Sequence, residues 1–350
     1  MSHRKSVGRG LLAVFVAIVS ITMGSTSARA QFEGPTPLKL LNGWTNAPYG
    51  TSIATAEQVS GIVQFRGAIA TTGTNPEPFL LIPELRPATD VYIPVDLCNA
   101  TKGRLWIQTS GVVTVQAETV FANAQCFTSL DGASFARTAA DFRPLTLING
   151  WTNAPFGTSD AAAEEIAGIV HFKGAIATTG TNAEPFVLPA YYRPAADVYI
   201  PIDLCNAANG RLWIQPNGVV TVQAEASFSS AQCFTSLDGA WFVRTGGGFQ
   251  TLTLINGWTD APYGTANAQA GNAYGIVYFQ GAIASGTSAA PFVLPPSLSP
   301  VTNVYIPVDL CNATNGRLLI QSSGAVTVQA ETVFSNAQCF TSLDGVSFVQ

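Results

Sequence analysis

Hydrophobic and polar residues alternate along this chain with a period of two. In residues 61–70, GIVQFRGAIA, the positions Val63, Phe65 and Gly67 alternate with Gln64 and Arg66, as in a strand whose two faces meet different surroundings. The segment returns with Val170, Phe172 and Gly174, and again with Val277, Phe279 and Gly281. The positions between them change freely, to His171 and Lys173 and then to Tyr278 and Gln280. One face therefore reads as core and the other as solvent. In DVYIPVDL, Val91, Ile93 and Val95 share a face, and Pro94 places the strand at an edge or breaks it. GRLWIQTSGVVTVQAE holds two alternating runs around Thr109-Ser110-Gly111, which predicts a hairpin with a glycine-containing turn. Trp106 and Trp213 fall on its polar face and Leu319 replaces them in the third occurrence, so they read as optional surface contacts. Residues 54–59 and 161–166 each allow one short helix at most.

These segments belong to a larger repeat. AQCFTSLDG occurs at residues 124–132, 231–239 and 337–345, and aligned copies occupy residues 38–135, 145–242 and 252–348, joined by residues 136–144 and 243–251. The period far exceeds that of a solenoid, so each copy is expected to have its own core, like a bead with some freedom relative to its neighbours. Six or seven strands per copy predict an all-β protein of three tandem antiparallel β-sandwich, or small barrel, domains. Within AQCFTSLDG, Cys126, Thr128 and Leu130 would share a strand face, and Asp131-Gly132 would turn the chain before Phe135.

The amino terminus changes the picture of where this happens. His3, Arg4, Lys5 and Arg9 precede an apolar run over residues 11–23 and then Ala28-Arg29-Ala30, the order of a secretory signal peptide covering residues 1–30. The run is too short for a permanent membrane anchor, so a secreted, extracellular or cell-surface-associated protein is expected, with no transmembrane anchor after cleavage. Removing this segment takes four Lys and Arg residues and moves the formal charge from −5 to about −9. Nucleic acid is then excluded as a partner, because phosphate binding needs clustered basic residues.

An even cysteine count in an exported chain indicates disulfides. The pairs Cys98/Cys126, Cys205/Cys233 and Cys311/Cys339 recur with the modules, which favours one bridge inside each over the other connectivities and over buried free thiols. Zinc lacks a CxxC spacing or a nearby histidine.

Catalytic chemistry finds little support. Beyond the leader the only histidine is His171, whose counterparts are Gln64 and Tyr278, so a Ser-His-Asp arrangement cannot recur and His171 reads as a surface strand residue. Four charged positions are kept in every copy: Asp96/203/309, Arg104/211/317, Glu118/225/331 and Asp131/238/344. A glycosidase would need two carboxylates about 5 to 9.5 Å apart across a cleft. The structural alternative pairs Arg104 with Glu118 across the hairpin base and gives Asp96 and Asp131 to turns. Calcium at Asp96 with Asn99 is a further alternative. No catalytic residue, resident metal or cofactor is expected, and the protein is not read as an enzyme.

A binding surface is better supported. Asn-Gly-Trp followed by Ala-Pro-(Tyr/Phe)-Gly-Thr sets Trp44 with Tyr49, Trp151 with Phe156, and Trp258 with Tyr263. Two aromatics in a polar loop can form a stacking platform for a sugar ring, whereas the alternative buries the tryptophan as a plug and leaves Asn-Gly to make the turn. Asn99-Ala100-Thr101 and Asn312-Ala313-Thr314 also match the N-glycosylation triplet.

The order Asn-Gly-Trp, Ala-Pro-Tyr-Gly, Gly-Ile-Val-x-Phe-x-Gly-Ala-Ile, Pro-Phe-x-Leu-Pro, Gly-Arg-Leu, Gly-x-Val-x-Val and Ser-Leu-Asp-Gly-x-Ser-Phe resembles the small β modules at the tips of phage tail fibres and related repeat modules of bacterial secreted proteins. The similarity covers nearly all of each copy and rests on turn and core residues. It implies adhesion to a cell-surface glycan or other receptor, often through trimers, and transfers no catalytic residue. This chain departs from the pattern in carrying a leader, paired cysteines and three modules in one polypeptide. The expectation is a secreted multivalent binding or adhesion protein recognising a cell-surface glycan or polysaccharide. The alternative is a structural envelope, coat or matrix protein with no small ligand.

Overall fold

The alternating segments pair as antiparallel sheets throughout the computed structural model, which describes residues 1–2, 34–137, 141–245 and 247–350. The expected leader lies almost wholly outside the described residues. Within the first module the strands are β1 (Thr36–Pro37), β2 (Trp44–Asn46), β3 (Thr55–Val59), β4 (Ile62–Arg66), β5 (Ala68–Thr71), β6 (Phe79–Leu80), β7 (Val91–Asp96), β8 (Lys102–Ile107), β9 (Val112–Ala117), β10 (Thr128–Ser129) and β11 (Ser134–Ala136), with one short helix, α1 (Phe121–Cys126). They form three sheets, ordered β1-β3-β4-β11, β10-β5-β2 and β6-β9-β8-β7. The other two modules repeat this plan, and each module encloses its own core with a tryptophan and a run of phenylalanines. The protein is thus all-β, with three repeated units, each closed by one disulfide: Cys98–Cys126, Cys205–Cys233 and Cys311–Cys339. Among the described residues no cysteine is free and no helix is long and apolar enough to cross a membrane.

Two local expectations are corrected. Residues 55–59 and 162–166 are strands and not short helices, pairing Thr55 with Arg66 through Val59 with Ile62, and Ala162 with Lys173 through Ile166 with Ile169, so ladder formation overrides the local helical option. The AQCF segment ends a helix instead of starting a strand: Ala124 packs into the core, Cys126 closes α1, and Thr128 Oγ1 donates back to the Ala124 carbonyl at 2.9 Å. The hairpin and the edge position of the proline-containing strand β7 stand as expected.

One glycine is required by geometry in each module. Gly67 has φ +92° and a side chain there would stand 2.5 Å from the Ser52 and Ile53 carbonyl oxygens. Its N–H donates to Asp131 Oδ1 at 2.8 Å, and the same bond joins Gly174 to Asp238 and Gly281 to Asp344. Asp131 therefore fixes the β4–β5 bend from inside the protein, and burial pushes all three of these carboxyls up to about 7.

The modules are not loose beads. Arg104 Nη1 reaches Asp203 Oδ2 at 2.9 Å, Arg211 reaches Asp309 at 2.9 Å, and Arg317 reaches back to Asp96 at 2.9 Å. The first module therefore holds the second, the second the third, and the third the first. Ser236 Oγ donates to the Tyr92 carbonyl, Ser342 to that of Tyr199 and Ser129 to that of Tyr305, in the same cyclic order. This is a head-to-tail contact that closes after three steps within one chain. It also corrects the solvent face assigned to β4: Gln64, His171 and Tyr278 are all buried, His171 to 5% exposure, where the three modules meet. Burial holds the His171 imidazole neutral, lowering its pKa to about 4.

Candidate binding pockets between the modules

The Asn-Gly-Trp loop separates its two aromatics. Trp44, Trp151 and Trp258 are each 5% exposed, and their indole N–H groups donate to the carbonyls of Asn75, Asn182 and Ser288. Each also lies edge-on to the phenylalanine that begins the short helix of its module. Buried and hydrogen-bonded in this way, the tryptophans plug the module and present no face to a ligand, which corrects their assignment to the platform. Tyr49, Phe156 and Tyr263 are 61%, 62% and 63% exposed. The chain turns outward between the two because Ala47 and Tyr49, with their counterparts, take left-handed φ values near +55° on either side of Pro48. A proline with φ fixed and no N–H suits this reversal.

The exposed rings do not stand alone. Phe156 and Tyr263 each overhang a hollow made by two modules. One of about 150 Å³ is lined by Tyr199 and Arg211 from the second module and by Tyr263, Cys311, Asn312 and Phe340 from the third. The equivalent hollow between the first two modules, about 120 Å³, is lined by Tyr92 and Arg104 and by Phe156, Cys205, Asn206 and Phe234. The same residue types meet at the closing interface, where Tyr49 lies edge-on to Phe127 and Phe127 to Tyr305.

The geometry of these hollows follows from the hairpin. β7 and β8 pair Tyr92 with Trp106 and Pro94 with Arg104, so the tyrosine and the guanidinium rise from one face of adjacent strands. Arg104 lies 4.9 Å from the Tyr92 ring centroid, and Arg211 over Tyr199 and Arg317 over Tyr305 repeat the distance, a cation–π contact. Each guanidinium is held twice more, by its own hairpin's glutamine (Arg104 Nε to Gln116 Oε1, 2.6 Å) and by the aspartate of the next module. The expected Arg104–Glu118 pair is thereby corrected. Register places Arg104 opposite Gln116, and Glu118 instead accepts from the backbone N–H of Asn209 at 3.3 Å. Likewise Asp96 serves Arg317 of another module and not a turn. From the far side, Asn99, Asn206 and Asn312 sit at φ near +59°, a left-handed conformation that asparagine tolerates, beside the disulfide.

The loop that carries each exposed ring is pinned by its neighbour. The N–H of Asp90 donates to the Gly157 carbonyl, that of Asp197 to Gly264 and that of Asn303 to Gly50. Phe234 and Phe340 lie edge-on to Tyr92 and Tyr199 beneath. The result is a shallow, preformed notch with an aromatic wall, a fixed guanidinium floor and an amide rim. It has the donors and ring faces to hold a polar ring by stacking and hydrogen bonds.

Carboxylates near the centre of the ring complete the electrostatics. Burial pushes Asp96 and Asp309 up to about 7, with Arg317 and Arg211 pulling the other way. Glu331 is also raised to about 7, by burial and then by Glu118 and Glu225, so the three glutamates share one neighbourhood. Among the described residues no group of three His, Cys, Asp or Glu side chains is arranged to hold a metal ion.

Sequence reading found Tyr49, Phe156 and Tyr263 but missed the other wall. Its signal was Tyr92, Tyr199 and Tyr305, kept on the nominally polar face of an edge strand in every copy, where a solvated position would have varied. No family model, curated protein or solved structure matches this chain.

Proposed function

We propose that this is an exported adhesion protein that binds repeated glycans through the notches between its modules. Tyr49, Phe156 and Tyr263 are the contact rings, Arg104, Arg211 and Arg317 the polar floor, and no covalent chemistry is performed. The observation that carries this reading is the pairing of a ring more than 60% exposed with a guanidinium already immobilised over a second ring. An exposed aromatic on a pinned loop loses little entropy on binding, and a fixed arginine needs no rearrangement to meet a hydroxyl or carboxylate. Each notch is small, so one site is weak, and three related sites on one rigid ring gain by avidity against a repeating polysaccharide. The tail-fibre resemblance implied trimers, and here a single chain supplies three modules in cyclic contact. The disulfides fit an oxidising, extracellular setting.

The test is a glycan and polysaccharide array probed with the mature chain and with a folded Tyr49→Ala/Phe156→Ala/Tyr263→Ala variant. Retention of the first and loss by the second supports the proposal. Equal retention of both sinks the notch as the site. Absence of any retention favours a coat or matrix protein with no small ligand.

A further inference from the structure

At their inner ends the three interfaces are unequally charged. In the first, Lys102 Nζ lies 2.9 Å from Asp203 Oδ1 and 3.4 Å from the Ala207 carbonyl oxygen, while Arg104 holds Asp203 Oδ2. Lys102 is replaced by Asn209 and Asn315 in the other two modules. Their Nδ2 groups donate to the corresponding carbonyls, of Ala313 and Ala100, at 2.7 Å each. Arg211 and Arg317 still hold Oδ2 of Asp309 and Asp96. The remaining oxygens, Oδ1 of Asp309 and Asp96, occupy the role that Asp203 Oδ1 plays toward Lys102. They have no hydrogen-bond partner among the described residues, and neither have Oδ1 of Asn209 and Asn315. All four side chains are at most 2% exposed.

The shortfall is in donors and in charge together. The first interface sets Lys102 and Arg104 against Asp203 and Glu118, which balances. Each of the others sets one arginine against an aspartate and a glutamate. A buried acceptor with no donor costs about 1–3 kcal/mol, and an uncompensated buried charge more. What the protein places at the first interface is a tethered ammonium.

We propose that the second and third interfaces each bind a hard metal cation of the calcium type, in the place that the Lys102 ammonium takes in the first. The candidate ligands are Asp309 Oδ1 and Asn209 Oδ1 with Glu225 nearby, and Asp96 Oδ1 and Asn315 Oδ1 with Glu331 nearby. Every one of these is an oxygen, which selects against zinc, copper and other ions that prefer nitrogen or sulfur. Calcium accepts carboxylate, amide and water oxygens in irregular numbers, which suits a site with few carboxylates per ion. Such a site belongs with weak extracellular ones, with Kd on the order of 10⁻⁴ to 10⁻³ M. The ions would lock the ring at two of its three closures.

The experiment is calorimetric titration of the full-length mature chain with calcium chloride near neutral pH after chelator dialysis, with thermal melts alongside. Two ions per chain and a rise in melting temperature of roughly 3 °C or more at one hundred times Kd support the proposal. No heat and an unchanged melting temperature overturn it, as does an equal response to sodium chloride at matched ionic strength. Asn209→Lys/Asn315→Lys should abolish calcium binding by supplying both ammonium groups; a folded double variant that still takes two ions overturns the assignment. Lys102→Asn should raise the stoichiometry from two towards three, and an unchanged value of two counts against the equivalence of the interfaces.

Discussion

At the rim of the ring the three interfaces carry the same side chains, Tyr92, Tyr199 and Tyr305 under Arg104, Arg211 and Arg317. Near the centre the equivalent positions diverge, as Lys102, Asn209 and Asn315 in one place and Gln64, His171 and Tyr278 in another. The difference follows from what each position meets. In a head-to-tail ring a rim residue faces a different surface of the next module, so one complementary pair can be written three times. Gln64, His171 and Tyr278 line one space together, so that position faces its own copies. Three tyrosines at that place would overfill the space they share. Fusing three modules into one chain lifts the identity that a homotrimer would impose, and the sequence uses that freedom where the copies converge.

The largest effect expected from breaking the ring is at the arginines, and it should not be equal among them. Arg211→Ala leaves Asp309 buried without its cation, at a cost of about 3–5 kcal/mol. Arg104→Ala should cost clearly less, because Lys102 stays 2.9 Å from Asp203. Equilibrium denaturation of the two variants checks the order, and equal losses would mean that Lys102 contributes nothing to its interface. Next come the disulfides, a feature repeated identically with a sequence separation of 28. Replacing Cys205 and Cys233 by serine should cost roughly 2–4 kcal/mol, and the corresponding pairs in the other modules the same within error. A marked inequality would show that the modules differ in more than their central positions.

Part of the rim was legible from sequence and the centre was not. Alternation gave most of the strands and the hairpin because period-two burial is a local property. The cysteine pairs and the loop aromatics could be singled out because they recur. The partners of Arg104, Asp96 and His171 could not, because each lies in another module about a hundred residues or more away. Free variation at Gln64, His171 and Tyr278 looked like a solvated face. It is instead the mark of a place where three copies meet, and only the closed ring distinguishes the two. The helix Phe121–Cys126 was missed because six residues are too few to show a helical period.

His171 gives a smaller, pH-dependent way to probe the centre. Its pKa is about 4 in the folded protein, against 6.5 unperturbed, and burial is the cause. A base with a depressed folded pKa contributes stability that is present above 6.5 and is lost as pH falls toward 4. Asp131, Asp238 and Asp344, raised to about 7, act in the opposite sense, gaining stability on acidification. The two contributions separate in His171→Gln, which writes the first module's residue into the second. Glu164 and Trp241 flank the position on neighbouring strands, and Gln64 and Tyr278 line it from the other modules. The variant should match the parent at pH 7 and exceed it by roughly 1–3 kcal/mol near pH 4.5. A difference that does not change with pH would refute a neutral buried imidazole.

The smallest effect lies where the rim itself departs from threefold repetition. Trp106 stacks on Tyr92 at 5.9 Å and 3°, and Trp213 on Tyr199 at 5.9 Å and 4°, but the third module has Leu319. The exception is coupled to a second one. Trp106 Nε1 donates to Asp90 Oδ2 at 3.0 Å, whereas the third module places Asn303 at that position and uses its Nδ2 to reach the Tyr49 carbonyl at 3.3 Å. Without an indole N–H to satisfy, the carboxylate is unnecessary and the amide turns to the neighbouring loop. Leu319→Trp alone should therefore gain at most about 0.5–1.5 kcal/mol from the stack, offset by an indole N–H lacking its carboxylate. Asn303→Asp alone should lose the bond to the Tyr49 loop. The double variant rebuilds the arrangement of the first module, so a double-mutant cycle should return a favourable coupling of at least 0.5 kcal/mol. Strict additivity would mean that the tryptophan and the aspartate are independent decorations. Coupling would show that the rim, too, varies only in matched pairs, each answering to the module it touches.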